Sequence, residues 1–91
     1  MAKYRKAKIK AHHIEMGSER KWGYEIGGTV YLDRSMTGPK HLEIAIHEFL
    51  HVLYPNATET EIEHHAVCLT KSLWALDYRR VDNKDLYKFQ V

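Results

Sequence analysis

The chain is poor in the features that mark secreted and membrane proteins. It contains one cysteine, Cys68, so an intramolecular disulfide is impossible. No apolar run approaches the length of a membrane span, and the N-terminus has no signal-peptide apolar region. With 91 residues and no internal repeat or linker, the sequence predicts one domain. We expect a reducing cytoplasm, no membrane contact and a buried, inert Cys68 in a helix.

A large excess of charge of either sign is also missing. Lysine and arginine number 14 against 12 acidic residues, and a net charge of +2 is too small to indicate nucleic-acid binding. The basic residues are nevertheless unevenly placed, because five of them precede the first acidic residue, Glu15: Lys3, Arg5, Lys6, Lys8 and Lys10. We interpret this segment as a strand with a solvated face. A phosphate-binding arm is the alternative, and any nucleic acid would bind there.

The remaining pattern predicts an α+β fold, with a short antiparallel or mixed sheet of about three strands before an antiparallel helix hairpin. Thr58 and Glu61 have the spacing of a capping box at the start of the second helix. Apolar residues at helical spacing predict its buried face: Ile62, Ala66, Leu69, Leu73 and Leu76. The expected elements are a basic N-terminal strand in 1–15 (pairing from 8 to 15), strands 22–26 and 29–33, helices 39–53 and 58–78, and a polar tail 79–91.

Helix 39–53 carries the motif His47-Glu48-Phe49-Leu50-His51, or HExxH. Residues four apart on a helix lie one above the other, so the imidazoles of His47 and His51 can bind one metal ion. The pattern is typical of zinc sites in which the glutamate, here Glu48, acts as the base toward a zinc-bound water. We therefore predict one Zn²⁺ per chain. His12 and His13, adjacent on a strand, should point to opposite faces and are interpreted as a surface pair.

Zinc hydrolases usually have a third protein ligand, and the second helix must supply it. A short turn makes the two helices an antiparallel hairpin, so the start of the second helix returns toward His51. On a helical wheel, Glu59 and His65 lie equally close to the predicted buried face, with Glu63 behind them. The residues alone leave these three alternatives open.

The hairpin resembles the gluzincins, in which a glutamate on a following helix completes HExxH, and among them the ImmA/IrrE-like peptidases. Both Glu59-Thr60-Glu61-Ile62 and Glu63-His64-His65-Ala66 fit the glutamate segment of these families. The ending Leu73-Trp74-Ala75-Leu76-Asp77-Tyr78-Arg79-Arg80 is similar to small phage and bacterial zincin-like proteins, and alignment on it selects Glu59. The resemblance implies a bacterial or phage-encoded intracellular metallopeptidase of minimal zincin fold, acting on a peptide or protein.

Further site residues follow from this hypothesis. The strand of Thr29, Val30, Tyr31 and Leu32 resembles the zincin edge strand that pairs with an extended peptide. Tyr54 and Tyr78, besides His64 and His65, are candidate oxyanion donors.

Two alternative functions remain. One is a non-catalytic structural zinc domain with His65 or Glu63 as a fourth ligand. The other is an adaptor that binds protein or nucleic acid through the basic N-terminus.

Overall fold

The computed structural model describes residues 8–16 and 22–81. The elements in chain order are β1 (Ala11–Ile14), β2 (Gly23–Ile26), β3 (Thr29–Asp33), α1 (Gly38–Leu53) and α2 (Glu59–Ala75). The predicted α+β architecture, a small mixed sheet followed by a helix hairpin, is confirmed. Predictions for residues 1–7, 17–21 and 82–91, including most of the basic segment and of the polar tail, lie outside the described residues.

The three strands are ordered β1-β3-β2, with β1 parallel and β2 antiparallel to β3. β2 and β3 are joined by Gly27 and Gly28, whose φ angles of 58° and 88° are both positive. Positive φ at both central residues is the signature of the two-residue type I′ hairpin, and glycine adopts it without strain. The Glu25 side chain also accepts a hydrogen bond of 2.8 Å from the Gly28 amide.

The interpretation of β3 as an edge strand is wrong, because β3 is the central strand. Its register pairs Val30 to Asp33 with β1 on one side and Thr29 to Leu32 with β2 on the other. The backbone of Thr29, Val30, Tyr31 and Leu32 is therefore already used within the sheet. The strand signals in the sequence locate each strand, but they do not reveal that β1 crosses to the far side of β3.

Helix α1 is the middle layer of the molecule. One side packs on β2 and β3, and the other packs on α2. Val30, Leu32 and Ala45 form the buried core, with Ile9, Ile44, Phe49 and Val52 packed around them. A Cβ atom at Gly23 would lie 2.8 Å from Ile44 Cγ2 and 3.0 Å from Leu32 Cδ2. The absence of a side chain at Gly23 thus allows α1 to lie directly on β2.

The buried face of α2 differs from the predicted one. Ile62, Ala66 and Thr70 are buried, whereas Leu69 and Leu76 are 43% and 70% exposed. On a helical wheel this turns the centre of the buried face by about 40° toward Glu59. Cys68 is exposed, so its predicted burial is wrong. The apolar residues Leu69 and Leu76 suggested a face that has no neighbouring element in the described part of the chain to pack against.

The ends of α2 have clear causes. The predicted capping box is confirmed, with bonds of 3.1 Å from the Glu61 amide to Thr58 Oγ1 and 3.0 Å from the Thr58 amide to Glu61 Oε1. The helix ends at Ala75, three residues earlier than predicted. Asp77 adopts a φ of 72°, and the Asp77 and Tyr78 amides donate back to the carbonyls of Trp74 and Leu73. These bonds form a Schellman motif, which stops the helix.

The described part of the chain contains no helix with the length and apolar composition needed to cross a membrane.

Candidate metal centre

The two histidines of the HExxH motif lie one turn apart in the C-terminal half of α1. Their Nε2 atoms are 3.2 Å apart, and their ring centroids are separated by 4.9 Å. This is the arrangement expected for residues at i and i+4, whose side chains share one face of a helix. Both residues are partly buried, with side-chain exposures of 16% for His47 and 29% for His51. Both nitrogens therefore meet at one point between the hairpin helices.

Glu59, the first residue of α2, brings a carboxylate to the same point. Its Oε2 lies 2.9 Å from His47 Nε2 and its Oε1 lies 3.0 Å from His51 Nε2. The three side chains offer ligand atoms that are all within 4.8 Å of one another. They form the one group of three or more potential ligands found among the described residues. This His-His-Glu group, here called the metal cluster, can hold a metal ion.

The spacing of the metal cluster fits zinc. Ligands on a tetrahedron with bonds of about 2.0–2.1 Å to zinc are separated by about 3.3 Å. The separations of 2.9 to 3.2 Å in the cluster are slightly shorter, so a small outward movement of each side chain would complete the coordination. Two imidazoles and one carboxylate are also a common ligand set for catalytic zinc, although imidazole binds other divalent ions as well.

Glu48 lies next to the metal cluster in a half-buried position. Burial raises the pKa of its carboxyl group above the usual range, while the adjacent His47 and His51 oppose that rise. The carboxylates of Glu59 and Glu25 raise the pKa further. Glu25 belongs to β2, so this edge of the sheet is close enough to influence Glu48. A carboxylate held in this way is suited to accept and return a proton.

The alternative third ligands do not join the metal cluster. Glu63 is exposed, and His65 lines a groove together with Leu50, Tyr54 and Leu69. The groove shares no residue with the cluster. The position of the buried face explains this outcome. Glu59 lies about 20° from the centre of the Ile62-Ala66-Thr70 face, whereas His65 lies about 100° from it.

The expected oxyanion donors also lie elsewhere. Tyr78 follows the C-terminus of α2, and that end is about 24 Å along the helix from Glu59. The assignment of Tyr78 is therefore wrong. Tyr54 lines the groove described above and is 58% exposed. Exposed His64 lies beside His65, with their ring centroids 5.9 Å apart. The structure places none of these side chains in contact with the metal cluster.

Sequence reasoning missed two features near the sites. Glu25 was not recognised as a neighbour of Glu48, since only the sheet topology brings β2 beside α1. The second feature is another imidazole pair, His13 and His41, with Nε2 atoms 2.9 Å apart. His12 stacks instead on Tyr31, so the two adjacent histidines do point to opposite faces as predicted. Alternation along β1 is a signal for one partner, but nothing in the sequence indicates His41 as the other.

Comparison with known proteins adds no identification: no protein-family model matches the chain, and no curated protein or solved structure does. The resemblance to gluzincins therefore stays a prediction that depends on the residues of the motif and of α2.

Proposed function

We propose that this protein is a zinc-dependent peptidase. The observation that carries the proposal is the convergence of His47, His51 and Glu59, with the half-buried Glu48 beside them. HExxH occurs by chance in a His-rich chain, but a chance motif would not have a carboxylate from a separate helix within 3.0 Å of both imidazoles.

The number of ligands favours an enzyme over a structural zinc domain. Structural zinc sites are closed by four protein ligands, whereas catalytic sites have three and leave the fourth position for water or substrate. The described residues provide three ligands, and the two candidates for a fourth, Glu63 and His65, lie outside the cluster. Glu59 is also 66% exposed, so solvent and substrate can approach the carboxylate side of the site.

Each residue has a defined role in this mechanism. His47, His51 and Glu59 would hold the ion through two ring nitrogens and a carboxylate oxygen. Zinc held there supplies a Lewis acid that lowers the pKa of water to about 7 and polarises the substrate carbonyl. Glu48 accepts the proton of the attacking water and passes it to the amine nitrogen that leaves when the peptide bond breaks. The hydrogen bond between the hairpin helices keeps Glu59 in position for the next turnover.

The substrate would bind along β2 rather than β3. Among the described strands β2 is at a sheet edge, with β3 as its neighbour on one side. An extended peptide can add to such an edge through main-chain hydrogen bonds. β2 also carries Glu25, whose charge acts on Glu48, so a peptide on this edge would pass beside the general base. This position replaces the one expected for Thr29 to Leu32.

The test combines metal analysis with a screen for cleavage. The full chain is purified without added metal, and its metal content is measured by mass spectrometry beside a His47→Ala variant. We expect about one zinc per chain in the wild type and little in the variant. A peptide library is then offered to the wild type and to Glu48→Gln. We expect Glu48→Gln to retain zinc and to lose about 10²- to 10⁴-fold in cleavage rate.

The matched control is Glu43→Gln, which removes a carboxylate from the same helix outside the metal cluster and should leave cleavage unchanged. Zinc binding without cleavage by the wild type would instead favour the structural domain. A wild type that folds but takes up no zinc would refute both functions.

A further inference from the structure

A second site lies at the opposite end of α1 from the metal cluster. Here a cavity of about 790 Å³ is lined by His13, Arg34, Gly38, Arg79 and Arg80, and these five residues are called the basic pocket. They come from β1, from the connection between β3 and α1, from the first turn of α1 and from the segment after α2. Gly38 is nine residues before His47, or about 14 Å along the helix axis, so the two sites are separate.

The guanidinium groups make the cavity strongly positive. None of the described residues that line it is acidic. Arg79 is partly compensated, since its Nη2 lies 3.7 Å from Asp77 and its Nη1 donates to backbone carbonyls. Within the described part of the chain, Arg34 and Arg80 have no carboxylate partner. Two positive charges are therefore available to a ligand.

Arg80 is held in place by the backbone. Its Nη1 donates hydrogen bonds of 2.9 Å to the Arg34 carbonyl and 2.7 Å to the Met36 carbonyl. These bonds connect the segment after α2 to the loop before α1. They also fix the guanidinium group, so less side-chain entropy is lost when it binds an anion.

The histidine pair of this region responds to the same charges. Burial lowers the pKa of His13, and the Arg80 and Arg34 guanidinium groups lower it further. His41 behaves similarly, with a pKa lowered by burial and then by His13 and Arg80. The two imidazoles therefore share a hydrogen bond in a positive field, and one ring must donate to the other.

The start of α1 adds hydrogen-bond donors. Thr37, its N-cap residue, makes no side-chain cap, and the first turn contains no acidic residue. The first amides of a helix have no partner within the helix and carry the positive end of its dipole. They lie where the parallel strands β1 and β3 both end, which is where α/β structures commonly bind ligands.

From these observations we infer that the basic pocket binds the phosphate group of a small phosphorylated molecule. Guanidinium forks match the oxygens of phosphate, and two unpaired arginines suit a dianion better than a single carboxylate. The concave shape favours a terminal phosphate over an extended polyanion. Nothing in this site depends on the metal cluster, so the inference stands apart from the peptidase proposal.

The test is a titration of the full chain with inorganic phosphate, followed by NMR of the backbone amides and histidine rings. We expect saturable shifts at Gly38, His13 and His41. Arg34→Gln should weaken binding by about tenfold or more, because it removes a charge-assisted pair. Lys71→Gln, which removes one positive charge from an exposed position of α2 outside the pocket, should leave binding unchanged. Equal effects of both substitutions, or no saturation in the wild type, would overturn the inference.

Two further arms define the ligand and protect the result. Arg34→Lys keeps the charge and loses the fork, so intermediate binding is expected even if Arg34→Gln fails to fold. Phosphate must also bind to Glu59→Gln, which removes a ligand of the metal cluster; binding that disappears there would assign the phosphate to the metal and refute the basic pocket. A single-stranded oligonucleotide serves as the competing source of phosphate. If it binds and inorganic phosphate or a mononucleotide does not, the small-molecule inference is wrong.

Discussion

The two ends of α1 carry the same side chains in opposite surroundings. His47 and His51 approach to 3.2 Å near its C-terminus, and His13 and His41 approach to 2.9 Å near its N-terminus. The first pair is completed by a carboxylate, that of Glu59. The second pair faces guanidinium groups, whose charges lower the pKa of His13. Imidazole can serve either kind of site because it is neutral or positive near physiological pH.

The difference shows that the third partner decides what an imidazole pair can bind. A carboxylate adds negative charge and an oxygen ligand, so the C-terminal pair attracts a cation. Arginine repels a cation and attracts an anion. The dipole of α1 acts in the same direction, because its C-terminal end is negative and its N-terminal end is positive. One helix thus separates a cation site from an anion site without any strand or domain between them.

The largest predicted effect comes from making the first pair resemble the second. Glu59→Gln removes the negative charge and leaves two imidazoles. Substitutions that only remove a hydrogen bond to a metal ligand cost about 10- to 100-fold in affinity, so loss of a direct ligand should cost about 100-fold or more. Competition with a chromogenic zinc chelator measures the change.

Glu63→Gln is the matched control for that measurement. It removes a carboxylate one turn further along α2 and should leave zinc affinity within about twofold, because Glu63 lies outside the cluster. If Glu63→Gln weakens zinc binding as much as Glu59→Gln, the assignment of the third ligand is wrong.

The next effect tests how each site depends on the sheet. Gly23→Ala places a methyl group against Ile44 and Leu32, and such overpacking costs about 1–3 kcal/mol of unfolding free energy. All three ligands of the metal cluster lie on α1 and α2, so zinc affinity should hardly change. The basic pocket includes a residue of β1 and should weaken. Chemical denaturation and the two binding assays together give the result; equal loss at both sites would contradict this picture.

Much of this organisation follows from the sequence, and the missing part has a physical cause. HExxH, the capping box and the Gly27-Gly28 turn are local patterns, so they predict α1, the start of α2 and the β2–β3 hairpin. The order of the strands depends on where β1 pairs, which no local pattern specifies. The choice between Glu59 and His65 depended on the buried face of α2, and that face includes a polar residue, Thr70, which a search for apolar periodicity passes over. The basic pocket is formed by residues as far apart as 13 and 80.

Thr70 gives a third prediction, at the contact between the helices that carry the two sites. Its Oγ1 is buried and has no hydrogen-bond partner among the described residues. Thr70→Val replaces the hydroxyl with a methyl group of similar size, so we expect about 1 kcal/mol greater stability. Thermal and urea unfolding measure it. Ser72→Ala, an exposed hydroxyl on the same helix, should change stability by less than about 0.5 kcal/mol. A destabilised Thr70→Val would show that the hydroxyl has a partner, such as a buried water.

The smallest effect is electrostatic and concerns the second histidine pair alone. Arg34→Gln removes one of the charges that lower the pKa of His13, so that pKa should rise toward the ordinary value of 6.5. NMR titration of the ring protons measures it, with Lys71→Gln as the control. A histidine whose pKa is lowered by folding binds fewer protons in the folded state than in the unfolded state. Its contribution to stability is therefore present above pH 6.5 and is lost as the pH falls below that value. Arg34→Gln should reduce this acid-side loss, and an unchanged pH dependence would mean that the Arg34 charge does not reach the pair.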